Sequence, residues 1–285
     1  MSVARRGTLA ALTAVIVLAG CGVGDAAPAS PVTRASVPSS WTQSGPGDHV
    51  ITADWAGEQR SFRLHVPPGK QRGVPAPLVV ALHGYQGDAA GFAAATGFDE
   101  LADEHGFLVL YPEALSGSWN ALYCCGDTDD VGFIRALVER LARDGAGDPA
   151  RTYVTGFSQG AELAYRLAVE LPGVFAAIAP VAAGFNTSGV AQPPTFRPDR
   201  PVSVMTYYGT LDPYAGQVEE GLKVWGDRVG CPAVRPGAAA VRCVDGSDVA
   251  SYAVDGLGHQ WPTAGDQPPA SARIWDFFAA HPRPS

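Results

Sequence analysis

Unbroken apolar runs alternate with stretches of helical period along most of this chain. Pro77 to Leu82 and Phe107 to Tyr111 are nearly continuous apolar segments, the signature of strands buried on both faces. Phe175 to Val181 and Val202 to Tyr208 are also strand-like, and a shorter strand is expected over Val249 to Val254. Between these, a helix is expected around Phe98 to His105. Val131 to Arg143 puts Ile134, Leu137, Val138 and Leu141 on one helical face, with Asp129 or Asp130 available as its N-cap. A closing helix runs through Ile274, Trp275, Phe277 and Phe278. Near the start, His49 to Thr52 and Arg60 to Val66 flank Asp54 to Glu58 as an antiparallel hairpin. Buried strands alternating with helices predict the α/β class, a mostly parallel central sheet with helices on both faces. Ligands of such sheets bind beyond the carboxyl ends of the strands, so chemistry is expected there.

The ends of the chain read differently. Residues 1–20 combine Arg5-Arg6 with an apolar stretch from Leu9 to Leu18 that is short for a membrane span, which is the pattern of an export signal. Leu18-Ala19-Gly20-Cys21 resembles a bacterial lipobox, which implies cleavage before Cys21 and a lipid on its thiol. An ordinary secretory signal that contains a cysteine is the other reading, and both place the mature chain outside the cytoplasm. Residues 21–47, rich in Ala, Pro, Ser and Thr, read as a solvated tether, leaving 48–285 as one domain.

At 285 residues and 46% hydrophobic content, that domain has sequence enough for a substantial core. Loss of Arg5 and Arg6 takes the formal net charge from −8 to −10, and Lys70 and Lys223 are the only lysines. Nothing forms a basic stripe, so nucleic acid is not an expected partner. Cys231 and Cys243, close together in a Pro/Gly-rich excursion, are expected to bridge each other in an exported protein. The adjacent Cys124-Cys125 either form a vicinal bridge or pair elsewhere, and sequence leaves the connectivity open. No Cys-x-x-Cys spacing supports a zinc site, and no metal is expected.

The densest chemical signal is Thr155-Gly156-Phe157-Ser158-Gln159-Gly160-Ala161. It follows the extended Arg151 to Thr155 and precedes a helix marked by Ala164, Leu167, Ala168 and Leu171 and stopped by Pro172-Gly173. Gly-x-Ser-x-Gly recurs by chance in glycine-rich chains; between a strand and a helix it reads as a nucleophile elbow, with Ser158 Oγ held at the helix N-terminus. A serine nucleophile needs a base and a group that orients the base. Asp212 lies just after the strand ending at Tyr208, and His259 follows the last short strand. The order Ser158, Asp212, His259 is that of α/β-hydrolases. Asp130 precedes the serine and reads as a cap or loop support. Asp245 and Asp255 sit beside glycines in turns. His83, in Leu82-His83-Gly84-Tyr85, reads as structural, in a turn whose Tyr85 N–H pairs with that of Gln159 as an oxyanion hole.

Taken together, Leu82-His83-Gly84, Trp119-Asn120, Cys124-Cys125-Gly126 with Asp129-Asp130-Val131-Gly132-Phe133, Gly156 to Gly160, Gly209-Thr210-x-Asp212-Pro213 and Gly258-His259-x-Trp261-Pro262 resemble the poly(3-hydroxybutyrate) depolymerase-like esterases. That group includes feruloyl and acetylxylan esterases and an actinobacterial lipoprotein branch. The resemblance spans Val50 to Ala280 and implies an α/β-hydrolase fold, an ester substrate, no cofactor, and membrane contact only through an N-terminal lipid. Tyr85 departs from it, since many polyester depolymerases have cysteine after His-Gly. Only the backbone N–H serves the oxyanion, whereas the phenol adds bulk at the acyl site. Trp119, Asn120 and Trp261 are expected in the substrate pocket, with packing beneath the Cys124-Cys125 loop as the alternative for the tryptophans. A cell-envelope acyltransferase and a non-catalytic binding lipoprotein stand as alternative functions. A peptidase fits less well, because no peptide-selecting domain is present.

Overall fold

The computed structural model describes residues 41–122, 126–185, 192–266 and 269–284. The export signal, Cys21, residues 21–40 of the tether, and Cys124 and Cys125 lie outside the described residues. Nine strands are described: β1 (Gly47–Trp55), β2 (Glu58–Val66), β3 (Ala76–Leu82), β4 (Leu108–Pro112), β5 (Gly147–Phe157), β6 (Ala177–Val181), β7 (Ser203–Gly209), β8 (Val241–Arg242) and β9 (Asp248–Val254). They form one sheet in the order β1-β2-β4-β3-β5-β6-β7-β9-β8. From β4 to β9 every neighbouring pair is parallel, while β1, β2 and β8 join antiparallel at the two edges.

Six helices cover this sheet: α1 (Ala89–Thr96), α2 (Phe98–His105), α3 (Asp130–Arg143), α4 (Gln159–Glu170), α5 (Ala215–Val229) and α6 (Ala270–Ala280). Alternate residues of β3 divide between two cores. Leu78, Val80 and Leu82 pack with Phe133 and Ile134 of α3, Leu163 and Leu167 of α4 and Trp225 of α5. Val79 and Ala81 share a core with Phe92 of α1, Phe98 of α2 and Trp275 and Phe278 of α6. Strands β3, β4, β6 and β7 are therefore buried at every position because both their faces meet helices. Pairing sets Leu82 beside Gly156, Phe157 beside Val181, and Gly209 beside Val254, so the carboxyl ends of β3, β5, β6, β7 and β9 line up along one rim.

Folded structure reaches into the segment read as tether. Trp41, in a short 3₁₀ turn over Trp41–Gln43, is 3% exposed and meets the Phe62 ring edge-on at 4.9 Å. One aromatic residue in a Pro/Ser-rich window barely moves its average composition, yet it is enough to pin the chain to the core. Helices α1 and α5 carry no element expected from the pattern: Ala89–Thr96 is almost wholly alanine and glycine with no polar face, and α5 holds Gly216, Gly221 and Gly226. Cys231 and Cys243 form the expected disulfide after α5. Among the described residues, no helix is long and apolar enough to cross a membrane.

The β1–β2 edge is tied to α2 by a charged cluster. His65 Nδ1 lies 2.7 Å from Asp48 and its Nε2 3.0 Å from Asp103, while Arg63 bridges Asp48 and Asp99. Tyr111 donates its hydroxyl to the same Asp99. Burial alone would lower the His65 pKa; the bonds to Asp48 and Asp103, with the negative charges of Asp99 and Asp103, override it and hold the imidazole above its ordinary value. A raised folded-state pKa contributes stability in full below the unfolded value of about 6.5, and that contribution is lost as pH climbs through the folded value. The urea midpoint of the parent should therefore exceed that of His65→Asn most at pH 6, with the gap narrowing toward pH 9. A gap that widened with pH would contradict this account.

Candidate active site

Between β5 and α4 there is one residue, Ser158, with φ 52° and ψ −118°. A side chain in this region costs roughly 1–3 kcal/mol and persists only where its surroundings over-determine it. The Ser158 N–H donates to Val181 O at 2.8 Å, and Ser158 O accepts from the N–H groups of Ala161 and Glu162 at 2.9 and 3.1 Å. The flanking glycines are required by contact. A Cβ on Gly156 would lie 2.4 Å from Gly160 C and O, and one on Gly160 would lie 2.3 Å from Leu82 O. The helix start is thus pressed onto the ends of β5 and β3, leaving Ser158 at the apex.

The other two predicted residues arrive on loops after adjacent strands. Thr210 N–H donates to Val254 O and Leu211 N–H to Leu257 O, both at 2.9 Å, lacing the loop after β7 to the loop after β9. Gly209 makes this approach possible, since a Cβ there would meet Leu257 O at 2.1 Å. Asp212 Oδ2 lies 2.8 Å from His259 Nδ1, and His259 Nε2 lies 2.9 Å from Ser158 Oγ. Asp212 is buried, and its second oxygen accepts the Tyr214 N–H at 2.8 Å. An ionised carboxylate only accepts, so Nδ1 carries the proton and the Nε2 lone pair faces the hydroxyl. In that tautomer the imidazole is placed to take the Ser158 proton. Ser158, Asp212 and His259, distant in sequence, form one hydrogen-bonded line.

Beside them, the turn after β3 is held from below. Ala114 N–H donates to His83 Nε2 at 3.1 Å, so this nitrogen is an acceptor and the neutral ring gives its Nδ1–H to Gly84 O at 2.7 Å. His83 is buried and engaged at both nitrogens, in keeping with its structural reading. Trp119 Nε1–H donates to His83 O at 2.8 Å, and Trp119 N–H to Gln159 Oε1 at 2.9 Å. Gln86 N–H closes the turn onto Gly117 O at 2.7 Å. The Tyr85 N–H donates to no described residue, and its side chain is 61% exposed.

Two pocket expectations give way here. Trp119 is 0% exposed with its ring against His83, and Trp261 is 6% exposed, edge-on to Phe92 and bonded through Nε1–H to Ser271. Neither ring offers a face to a ligand; both pack under the site. Asn120 is half-buried and gives its amide to Thr128 O, while its backbone N–H donates to Asp130. Asp130 supports the loop as expected, through a buried ion pair with Arg60 at 2.7 Å. Arg60 had no signal of its own within a strand that alternates charged and apolar residues. Phe157 and Tyr214, whose rings meet the His259 imidazole at 4.9 and 5.2 Å, were also not singled out. Their signal was proximity to the motif residues. Asp245 accepts from Ser247, and Asp255 from Thr210, as turn residues.

Known proteins resemble this chain in sequence and in fold. Residues 60–192 match the family described as Esterase PHB depolymerase. The chain is 39% identical over 129 residues to poly(3-hydroxyalkanoate) depolymerase C of Paucimonas lemoignei, covering 42% of this chain and 30% of that one. It is 27% identical over 243 residues to the bifunctional acetylxylan esterase/xylanase XynS20E of Neocallimastix patriciarum, covering 79% of this chain and 34% of the relative. The chain thus spans about a third of the length of each of these two relatives. Among solved structures, an acetyl xylan esterase from Aspergillus awamori superposes with a TM-score of 0.55 at 20% identity, covering 77% of this chain and 94% of that one. A structure titled sOPH reaches 0.63 at 17% identity, over 88% and 91%. These likenesses establish the α/β-hydrolase fold that the family resemblance implied.

Gly209→Ala tests the geometry directly. The added methyl should push the two loops apart, lower stability by about 1–3 kcal/mol and slow modification of Ser158 by a fluorophosphonate. Unchanged stability and labelling would show that the close approach is unimportant.

Proposed function

We propose that this chain, which matches the esterase PHB depolymerase family over residues 60–192, is a serine esterase that cleaves carboxylic esters through an acyl-enzyme. The observation that carries the reading is His259, within hydrogen-bonding distance of Ser158 Oγ on one side and Asp212 on the other. Ser158 Oγ attacks the ester carbonyl while His259 Nε2 takes its proton, and Asp212 holds the imidazole in the required tautomer and offsets its positive charge. The N–H groups of Tyr85 and Gln159 receive the oxyanion, helped by the positive end of α4. Each such donor is worth about 3 kcal/mol of barrier. Collapse of the intermediate passes the His259 proton to the departing alcohol, and water then repeats the sequence to release the acid.

The substrate classes that fit are oligoesters of 3-hydroxybutyrate type and feruloyl or acetyl esters of polysaccharides. Relatives named as a poly(3-hydroxyalkanoate) depolymerase and an acetylxylan esterase support both. The signal-like leader and Cys21 support a location outside the cytoplasm with a lipid holding the enzyme to the membrane.

Ser158→Ala should fold normally and lose about 10⁶-fold in kcat on p-nitrophenyl acetate. Hydrolysis by that variant at the parental rate would overturn the assignment. A panel of p-nitrophenyl acyl chains, methyl ferulate, acetylated xylan and 3-hydroxybutyrate oligomers should show kcat/KM concentrated in one of the two substrate classes.

A further inference from the structure

Two hydrogen bonds anchor the His259 nitrogens along a line from Asp212 to Ser158, yet they leave the ring able to turn about that line. The side chain is 27% exposed, so water has access to part of the ring. What else restrains it is aromatic. Phe157 comes immediately before Ser158 and is placed by the elbow, with its ring against Gly84, where a Cβ would lie 3.0 Å from it. Tyr214 meets the imidazole from the loop after β7, its ring edge-on at 72° and 5.2 Å.

Tyr214 is fixed by its own backbone. It follows Pro213 at the start of α5, its carbonyl accepts the N–H groups of Gln217 and Val218 at 2.9 and 3.0 Å, and its N–H is the one held by Asp212. One residue therefore orients the carboxylate through its main chain and covers the imidazole with its ring. Its hydroxyl bonds to no described residue, so the ring is the part engaged.

We propose that Tyr214 is a positioning residue for His259: with Phe157 it holds the imidazole in the orientation that joins Asp212 to Ser158. The kinetic side of this proposal rests on the esterase reading; the orientation itself rests only on geometry.

The test compares Tyr214→Phe, Tyr214→Ala and Tyr214→Leu in the full chain. With p-nitrophenyl acetate and p-nitrophenyl butyrate, the phenylalanine variant should keep kcat within about twofold of the parent. The alanine variant should lose roughly 10- to 100-fold in kcat with KM nearly unchanged, equally for both acyl chains. The leucine variant removes the ring but keeps apolar bulk, so it carries the same expectation if alanine fails to fold. A rise in KM at constant kcat would make Tyr214 a substrate wall and overturn the proposal, and so would parental kinetics without the ring. Loss of activity in Tyr214→Phe would assign the role to the hydroxyl and overturn it as well.

The second readout is the hydrogen-bonded His259 Nδ1–H resonance in NMR spectra of the resting protein. It should stay sharp in the parent and Tyr214→Phe and broaden through exchange with water when the ring is removed. An unchanged resonance in Tyr214→Ala, or in Tyr214→Leu should alanine not fold, would sink the proposal. A parent that cleaved no ester would refute the esterase reading alone, because the resonance decides the positioning role without turnover.

Discussion

The carbonyl oxygen of Leu82 lies so near α4 that a single methyl group at Gly160 would stand 2.3 Å from it. Everything at the site follows from this approach of helix to strand end. It brings the turn after β3 alongside the helix N-terminus, so the Tyr85 and Gln159 main chains share one rim. It also leaves the chain one residue, Ser158, in which to reverse from strand to helix, which forces φ to 52°. A second contact of the same kind, Gly209 against Leu257 O, brings the loop of Asp212 to the loop of His259. Two close approaches, each closed to any residue with a Cβ, therefore assemble three side chains separated by 101 and 47 positions in sequence.

Such tight loops need a firm floor, and buried polar groups provide it. Arg60 and Asp130 are 1% and 0% exposed at the side chain, and the guanidinium carbon stands 4.3 Å from the Phe133 ring centroid. Asp130 spends its second oxygen on the Asn120 N–H, and Asn120 O accepts from Arg166 of α4 at 2.7 Å. A buried ion pair is weak evidence for net stability, but loss of one partner strands the other charge at a cost of about 3–5 kcal/mol. Here its value is geometric. It ties β2, α3 and the loop carrying Trp119 to the helix that bears Ser158.

The elements most legible in the sequence are those whose environment is the same along their whole length. The parallel strands β3, β4, β6 and β7 lie between two helix layers, so every residue is buried and the largely apolar run announces itself. Helix α3 separates a core face from a wet face, and the 3.6 period appears. Helix α1 contacts the core with alanines and has no contrast to read, and α5 is diluted by glycines, of which Gly221 meets Phe185 N at 2.5 Å from its Cβ position. The chemical residues were legible through order and position at strand ends. What stayed hidden was which aromatic rings reach the imidazole: Trp119 and Trp261 flank motif residues in sequence but pack in the cores, whereas Phe157 and Tyr214 meet His259. Sequence proximity to a catalytic motif does not specify side-chain direction when the loop between them reverses.

His83 and His259 show the same limit from the other side. Both stand just past a parallel strand, next to a glycine, at the rim where Ser158 lies. The difference is made by what approaches Nε2. At His83 it is a backbone N–H, Ala114, which can only donate, so the nitrogen accepts and the ring is held beneath the turn, with a Glu113 carboxylate oxygen 3.5 Å from the same nitrogen. At His259 it is a hydroxyl, which can give up its proton, with the Asp212 carboxylate behind Nδ1 to balance the charge that results. Identical side chains are thus divided into a buried strut and a candidate base by the donor character of one neighbouring atom. That atom belongs in each case to a segment distant in sequence, so the distinction exists only once the sheet has formed.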